Sequence, residues 1–237
     1  MPRRTACVTG ATGFLASELV HQLLAGGYYV HGTVRSLAST SKYEHLTLFP
    51  GAATQLELHE ADLLSSGAFD ACVAQADVIF HTASPFITRN ITDPEQQLFK
   101  PSLEGTRNLF ASIERSQRKP RVVLTSSVAA IMGKATDKEG CFDEDDWNYS
   151  STPRGNPPGD GLDMYRYSKL IAERDAWELA EAQQLEMATI NPSFIMGPPR
   201  MSRLDGESIS NMRMALGAHA PPTLARVHCR DCRPHSP

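Results

Sequence analysis

The sequence predicts an α/β chain built on a doubly wound parallel sheet, and three observations carry that prediction. Short, near-continuous apolar runs alternate with longer helical stretches, as in parallel strands covered on both faces. A glycine-rich turn, TGATGFLA at residues 9–16, joins the first run to the first helix. Polar or punctuating residues fall at the carboxyl ends of the runs: Gly10, Arg35, Asp62, Thr82 to Ser84, Ser127 and Pro192. Ligands of open α/β sheets bind at those ends, near the point where strand order reverses.

Taken in order, TACVTG (5–10) reads as a strand and Phe14 to Leu24 as the helix that follows it. YYVHGTVR (28–35) and TQLELHEA (54–61) are the second and third strands, with a short helix near 42–48 between them. DVIFHTAS (77–84) is the fourth strand and leads to a long helix from about Pro94 to Gln117. RVVLTSS (121–127) is the fifth. The segment 133–162, with FDEDDWN and PRGNPPGDG, is turn-rich and reads as a loop over one end of the sheet. A helix carrying Tyr165 and Lys169 runs on to about Gln184, and MATINP (187–192) completes six strands. No internal repeat is evident.

A chain of 237 residues can bury a substantial core, as one large domain or one domain plus a fragment. Its 41% apolar and 21% charged residues are ordinary for a globular protein. A net charge of −4 without a basic stripe argues against a nucleic-acid partner, and no apolar run approaches a membrane span. MPRRTACVTG lacks the apolar stretch of a signal peptide. Five cysteines, with Cys7, Cys72 and Cys141 scattered, read as reduced thiols in a cytoplasmic protein. Cys229 and Cys232 form a lone CxxC, weak as a metal or redox signal without a second pair.

The glycine turn carries a phosphate-binding logic. Gly10 allows the tight turn, Gly13 removes a side chain where backbone must approach a pyrophosphate, and Ala16 is small where helix packs on sheet. After a strand and before a helix, this is the dinucleotide fingerprint of a Rossmann-type fold. An NAD-preferring site usually ends its second strand near an acidic residue, whereas this one ends in Thr33, Val34 and Arg35. Arg35 can fork onto a 2′-phosphate, with Lys42 as a second cation, so NADP is the expected cofactor. The competing reading of Arg35 is a solvated surface residue. Asp62 suits either the adenine amino group or a helix N-cap for residues 63 onward.

The stretch MYRYSKLIAE (164–173) places Tyr165 and Lys169 on one helical face and turns Tyr167 away. A cation beside a phenol favours the phenolate and is expected to lower the Tyr165 pKa, one route to a general acid at neutral pH. Taken alone, the pair reads as a half-buried aromatic beside a solvated lysine, and the rest of the chain has to shift that reading.

Together and in this order, TGATGFLA, Arg35, EADL, HTASP, TSS and YRYSK resemble an extended short-chain dehydrogenase/reductase of the NAD-dependent epimerase/dehydratase superfamily. More closely they resemble the branch of dihydroflavonol, cinnamoyl-CoA and fungal carbonyl or aldehyde reductases, over residues 5 to about 216. The resemblance implies a catalytic Ser127, Tyr165 and Lys169, with Ser126 packing at the strand end. Tyr165 would protonate a carbonyl oxygen as hydride arrives, Ser127 would hydrogen-bond that oxygen, and Lys169 would hold the ribose. It implies NADP contacts from Gly10, Thr12, Gly13, Phe14, Leu15, Arg35, Lys42, Asp62, Leu63, Thr82, Ala83, Ser84, Tyr165, Lys169, Pro192 and Ile195, with Ser208 a further candidate. A cofactor domain over 1–190 and the start of a substrate lobe over 191–217 follow from it.

Departures narrow the substrate. GLDMYRYSK replaces the KNWYCYGK-like stretch of cinnamoyl-CoA reductases, and Met132 stands where dihydroflavonol reductases carry an asparagine. A generic aldehyde or ketone is the expected substrate. FDEDDW lacks the spaced oxygens and glycine of a calcium loop and reads as a solvated loop, so no metal is expected. His21, His31, His45, His59 and His81 fall at unrelated spacings and read as packing or surface residues.

Residues 218–237 are irregular: Val227 to Asp231 match a strand of the family and CRPHSP does not, so a frameshifted or truncated coding sequence is expected. Two other functions compete: a nucleotide-sugar epimerase or dehydratase, and a non-catalytic NADP-binding protein.

Overall fold

Alternation between strand-forming and helix-forming stretches resolves into six strands and seven α-helices in a computed structural model, which describes residues 4–133, 141–201, 207, 209 and 210. In chain order these are β1 (Thr5–Thr9), α1 (Phe14–Ala25), β2 (Tyr29–Val34), α2 (Glu44–Thr47), α3 (Ala52–Gln55), β3 (Leu56–Glu60), α4 (Asp70–Val73) and β4 (Val78–His81). There follow α5 (Lys100–Ser116), β5 (Arg121–Thr125), α6 (Val128–Ile131), α7 (Gly161–Ala182) and β6 (Met187–Ile190). All ladders are parallel and the order is β3-β2-β1-β4-β5-β6. The chain leaves β3 to begin its second half beside β1, so the switch point lies between β1 and β4, as a doubly wound Rossmann-type sheet requires.

Period-two alternation divides the core. Ala6 and Val8 of β1 face α1, where they pack with Ala16, Val20, Leu24 and Val30. Cys7, Ile79 and Val122 face the other side, against Phe69 and Cys72, Leu109 and Phe110 of α5, and Ala176 and Ala180 of α7. A third cluster of Leu98, Phe99, Ala129, Met164 and Tyr165 sits toward the carboxyl ends.

Several expected bounds shift for local reasons. The helix expected over 42–48 is a 3₁₀ turn, Thr40–Lys42, followed by the short α2. Gly51, at φ 86°, then starts α3, which takes the first residues of the expected third strand. The helix expected from Pro94 opens as a wide π turn over Glu95–Phe99 before α5. Pro101 has no N–H to give the α-helical ladder there. Strand β5 stops at Thr125, so Ser126 and Ser127 lie beyond the ladder.

The cysteine reading is corrected. Cys7 and Cys72 form a disulfide, with Cα atoms 5.6 Å apart, because β1 turns residue 7 toward the face that α4 covers. Cys141 is free and exposed. Ser208, Cys229, Cys232 and the irregular tail lie outside the described residues.

Phe110, 1% exposed in the sheet–α5 layer, should cost about 3–5 kcal/mol when replaced by Ala, read as a lower denaturant midpoint at unchanged slope.

Candidate functional site

The site begins where β1 ends. Gly10 turns the chain at φ 63°, and a Cβ there would lie 3.0 Å from the Cβ of Ala83 and 3.2 Å from its Cα. Only glycine suits both the turn and this approach. Gly10 N–H donates to Thr33 Oγ1 at 2.9 Å and Ala11 N–H to Thr33 O at 2.8 Å, which locks the loop onto β2. A Cβ on Gly13 would stand 3.2 Å from Gly10 O. Gly13 is also the N-cap residue of α1 and gives no side-chain cap. The first-turn N–H groups near Phe14 and Leu15 therefore form an anion-accepting end.

Thr9 organises the opposite wall, a role the motif reading passes over. Its Oγ1 accepts from Thr82 N at 3.1 Å and Ala83 N at 3.0 Å, and pairs with His81 Nδ1 at 2.8 Å. Thr82 Oγ1 in turn donates to Thr9 O. With two N–H donors already on Oγ1, its hydroxyl proton points to His81 Nδ1, leaving the imidazole neutral with its proton on Nε2. Burial, and then the charge of Lys169, push the His81 pKa down to about 3.

Helix α7 brings the tyrosine and lysine. Asp160 caps it, accepting from Leu162 N at 3.0 Å and Asp163 N at 3.3 Å. Buried Asp163 accepts from Ser151 Oγ at 2.6 Å and Thr152 N at 3.1 Å, tying the long loop to the helix. Gly161 opens α7 against the 82–92 segment so closely that a Cβ would be 2.3 Å from Thr88 O. One turn later Tyr165 packs on Phe86, ring centroids 4.9 Å apart, while Tyr167 packs edge-on to Phe99 as expected of a packing residue.

Lys169 Nζ lies 6.0 Å from the Tyr165 ring centroid. The expected direction of the phenol shift is corrected: in the chain alone burial raises the Tyr165 pKa to about 12, and only a hydrogen bond with Ser127 opposes it. At that distance, with both side chains buried, desolvation outweighs the cation. Burial likewise lowers Lys169 to about 8, against the pull of Glu173. Glu173 accepts from Asn191 Nδ2 at 2.8 Å, which also donates to Ser127 O at 3.1 Å. Glu173 stands four residues after Lys169, so helical spacing could have flagged it.

Ser127 caps α6, its Oγ accepting from Ala129 N at 3.1 Å, and Val128 N reaches Pro192 O at 3.1 Å. Ser126 Oγ is buried without a hydrogen-bond partner among the described residues, in the wall of a small cavity shared with His81, Ser84, Ser102 and Lys169. Arg35 and Lys42 are exposed beyond β2. Asp62 accepts from Leu64 N at 2.8 Å as a local turn, not a helix cap, because the next helix begins only at Asp70. Leu63 packs against Gly105 and its carbonyl accepts from Asn108. Ile195 is half-buried beyond β6. In FDEDDW, Asp143 and Asp146 accept backbone N–H groups of their own loop.

Because Lys169 titrates near 8 when folded and near its ordinary 10.5 when unfolded, the unfolded chain holds more protons between those values. Stability should therefore rise with pH from about 8 to about 10.5 relative to a Lys169→Met variant. Denaturant melts of both proteins across that window check the sign.

Known proteins are similar to this chain in sequence and fold. A family model, the NAD dependent epimerase/dehydratase family, matches residues 6–228. A cinnamoyl-CoA reductase of Medicago truncatula is 37% identical over 223 residues, 92% of this chain and 66% of that protein. A dihydroflavonol 4-reductase of Dianthus caryophyllus is 38% identical over 194 residues, 82% of this chain and 52% of that one. Gre2 from Candida albicans, solved in complex with NADPH, has a TM-score of 0.76 at 36% identity, over 87% of this chain and 63% of that one. The chain spans about half to two thirds of the length of these relatives. With the match running from β1 almost to its last residues, this chain belongs to the NAD dependent epimerase/dehydratase family.

Proposed function

We propose that this chain binds NADPH and reduces an aldehyde or ketone to an alcohol, with Tyr165 as the proton donor. The observation that carries the reading is the meeting of a buried, protonated Tyr165, a hydrogen-bonding Ser127 and a buried Lys169 at the carboxyl end of β5. Relatives named as reductases, and a Gre2 structure holding NADPH, support the same chemistry.

A dinucleotide fits the cradle. The space that a Cβ at Gly10 would fill against Ala83, and the uncapped start of α1, suit a pyrophosphate. Phe14, Leu15 and Thr12 would flank it, Arg35 and Lys42 would meet the 2′-phosphate, and Asp62 and Leu63 would border the adenine. Thr82, Ala83, Ser84, Pro192 and Ile195 would line the nicotinamide half, with Ser208 a further candidate. When bound, NADPH supplies the hydride.

The chain's own residues handle the oxygen and the proton. Ser127 holds the carbonyl oxygen by a hydrogen bond, and Tyr165 gives it a proton as the new C–H bond forms, so carbonyl becomes alcohol. A pKa near 12 keeps that proton in place at neutral pH. Protonated Lys169 and the Ser127 hydroxyl favour the phenolate as it develops. Met132, where an asparagine would hold a flavonoid ring, favours a simpler carbonyl compound. Residues 1–190 would form the cofactor domain and 191–217 the start of the substrate lobe.

Tyr165→Phe removes one of many cofactor contacts, so NADPH should still bind, by fluorescence titration, while single-turnover reduction across an aldehyde panel falls by roughly 10²–10⁴-fold. Unchanged turnover would remove the assignment. Arg35→Ala should weaken NADPH but not NADH binding by roughly 10–100-fold, as loss of a charged hydrogen bond does.

A further inference from the structure

Outside the cleft, β-pairing assembles three metal-ligating side chains that are remote or unremarkable in sequence. Strand β3 reads LELHE, so Leu56 and Leu58 turn toward the α1 side while Glu57 and His59 share the opposite face. Register places Glu57 opposite His31 and His59 opposite Thr33, one alternation further along β2. His31, Glu57 and His59 therefore share one patch. The histidines do pack, ring on ring, and their sequence spacing is uninformative; register across the ladder supplies their relation to Glu57.

The ligand atoms converge. His31 Nδ1 and His59 Nε2 are 2.8 Å apart, with rings stacked at 5.1 Å. Glu57 carboxylate oxygens lie 3.8 Å from His31 Nδ1 and 3.7 Å from His59 Nε2. Three atoms bound tetrahedrally at Zn–ligand lengths of about 2.0–2.1 Å sit roughly 3.3 Å from one another. Reaching that geometry needs the nitrogens to part by about 0.5 Å and one oxygen of the exposed carboxylate to swing between them. It is the one such cluster among the described residues.

Access agrees. His31 Nδ1 and His59 Nε2 stand at hydrogen-bond distance, so the proton between them leaves when a cation takes both lone pairs. The histidine side chains are 15% exposed and Glu57 67%. The nitrogens are thus fixed in a half-buried floor, and the carboxylate closes from the solvent side of an edge strand. Donors of this kind, two imidazoles and one carboxylate with room for water, suit zinc and its first-row neighbours over calcium or magnesium.

We propose that His31, Glu57 and His59 form a binding site for a divalent transition metal of the zinc class, clasping β3 to β2. The site lies on the sheet face away from α1 and uses none of the residues assigned to reduction. Its test therefore does not depend on the reductase reading.

The test uses the full chain without an affinity tag, stripped by chelator and titrated with Zn²⁺ in a calorimeter, and with Co²⁺ followed by visible absorption. Wild type should bind, with a Co²⁺ spectrum of low-coordinate nitrogen and oxygen ligands, and should melt at higher temperature with the metal. His59→Gln should weaken the bound equivalent by at least roughly tenfold, since even outer-shell losses cost 10–100-fold. Glu57→Gln, on an exposed side chain, should weaken it without disturbing the fold seen by circular dichroism. Cys229→Ser/Cys232→Ser should leave it unchanged. Absence of binding by wild type, or wild-type affinity in both His59→Gln and Glu57→Gln, would overturn the proposal.

Discussion

The Thr9 hydroxyl is the pin on which the cleft depends. It sits where β1 and β4 part company, and in one atom it satisfies two N–H groups leaving β4 and the imidazole of His81. A buried backbone donor left unpaired there would cost about as much as a lost hydrogen bond, so the parting loops have one stable arrangement. That arrangement lays Ala83 against Gly10, which fixes how wide the floor of the cleft can open. The glycine turn, the entry to α1 and the wall beneath Lys169 all take their positions from it.

Around this pin the molecule concentrates ionisable groups where water is scarce. Tyr165 is held neutral, His81 is held neutral, and Lys169 is eased toward neutrality, each chiefly by burial. Glu173 supplies the balancing negative charge one turn from Lys169, and Asn191 links that carboxylate to the backbone of Ser127. The phenol is therefore poised by what surrounds it as much as by its cationic neighbour. A nucleotide entering the cleft would change that environment, and with it the ease of releasing the proton.

Much of this was legible in the chain itself. Strand alternation, the glycine turn and the four-residue step from Tyr165 to Lys169 are local patterns, and each survives in the fold at nearly the expected bounds. The family resemblance drawn from those motifs holds as well. What escaped was relational. The Thr9–His81 contact joins residues 72 apart, and the Cys7–Cys72 disulfide spans 65, so both exist only through register and packing. The short helix expected near 42–48 is present as α2, trimmed because Tyr43, at φ −127°, separates it from the 3₁₀ turn before it. The direction of the phenol shift was missed because sequence spacing shows a neighbouring charge but not the loss of solvent.

The contact at Gly161 gives the site an unusual kind of sensitivity. Helix α7 meets the carbonyl of Thr88 with no room for even one added carbon, and the phenol rides one turn further along the same rigid rod. A methyl group at that contact would have to tilt or slide the helix, and the rod would carry the displacement to the phenol oxygen of Tyr165. Damage of this sort leaves the hydrophobic layers intact. Displacement of the phenol and loss of folding are thus separable at this joint, and a sound-looking protein would carry the fault in one backbone contact.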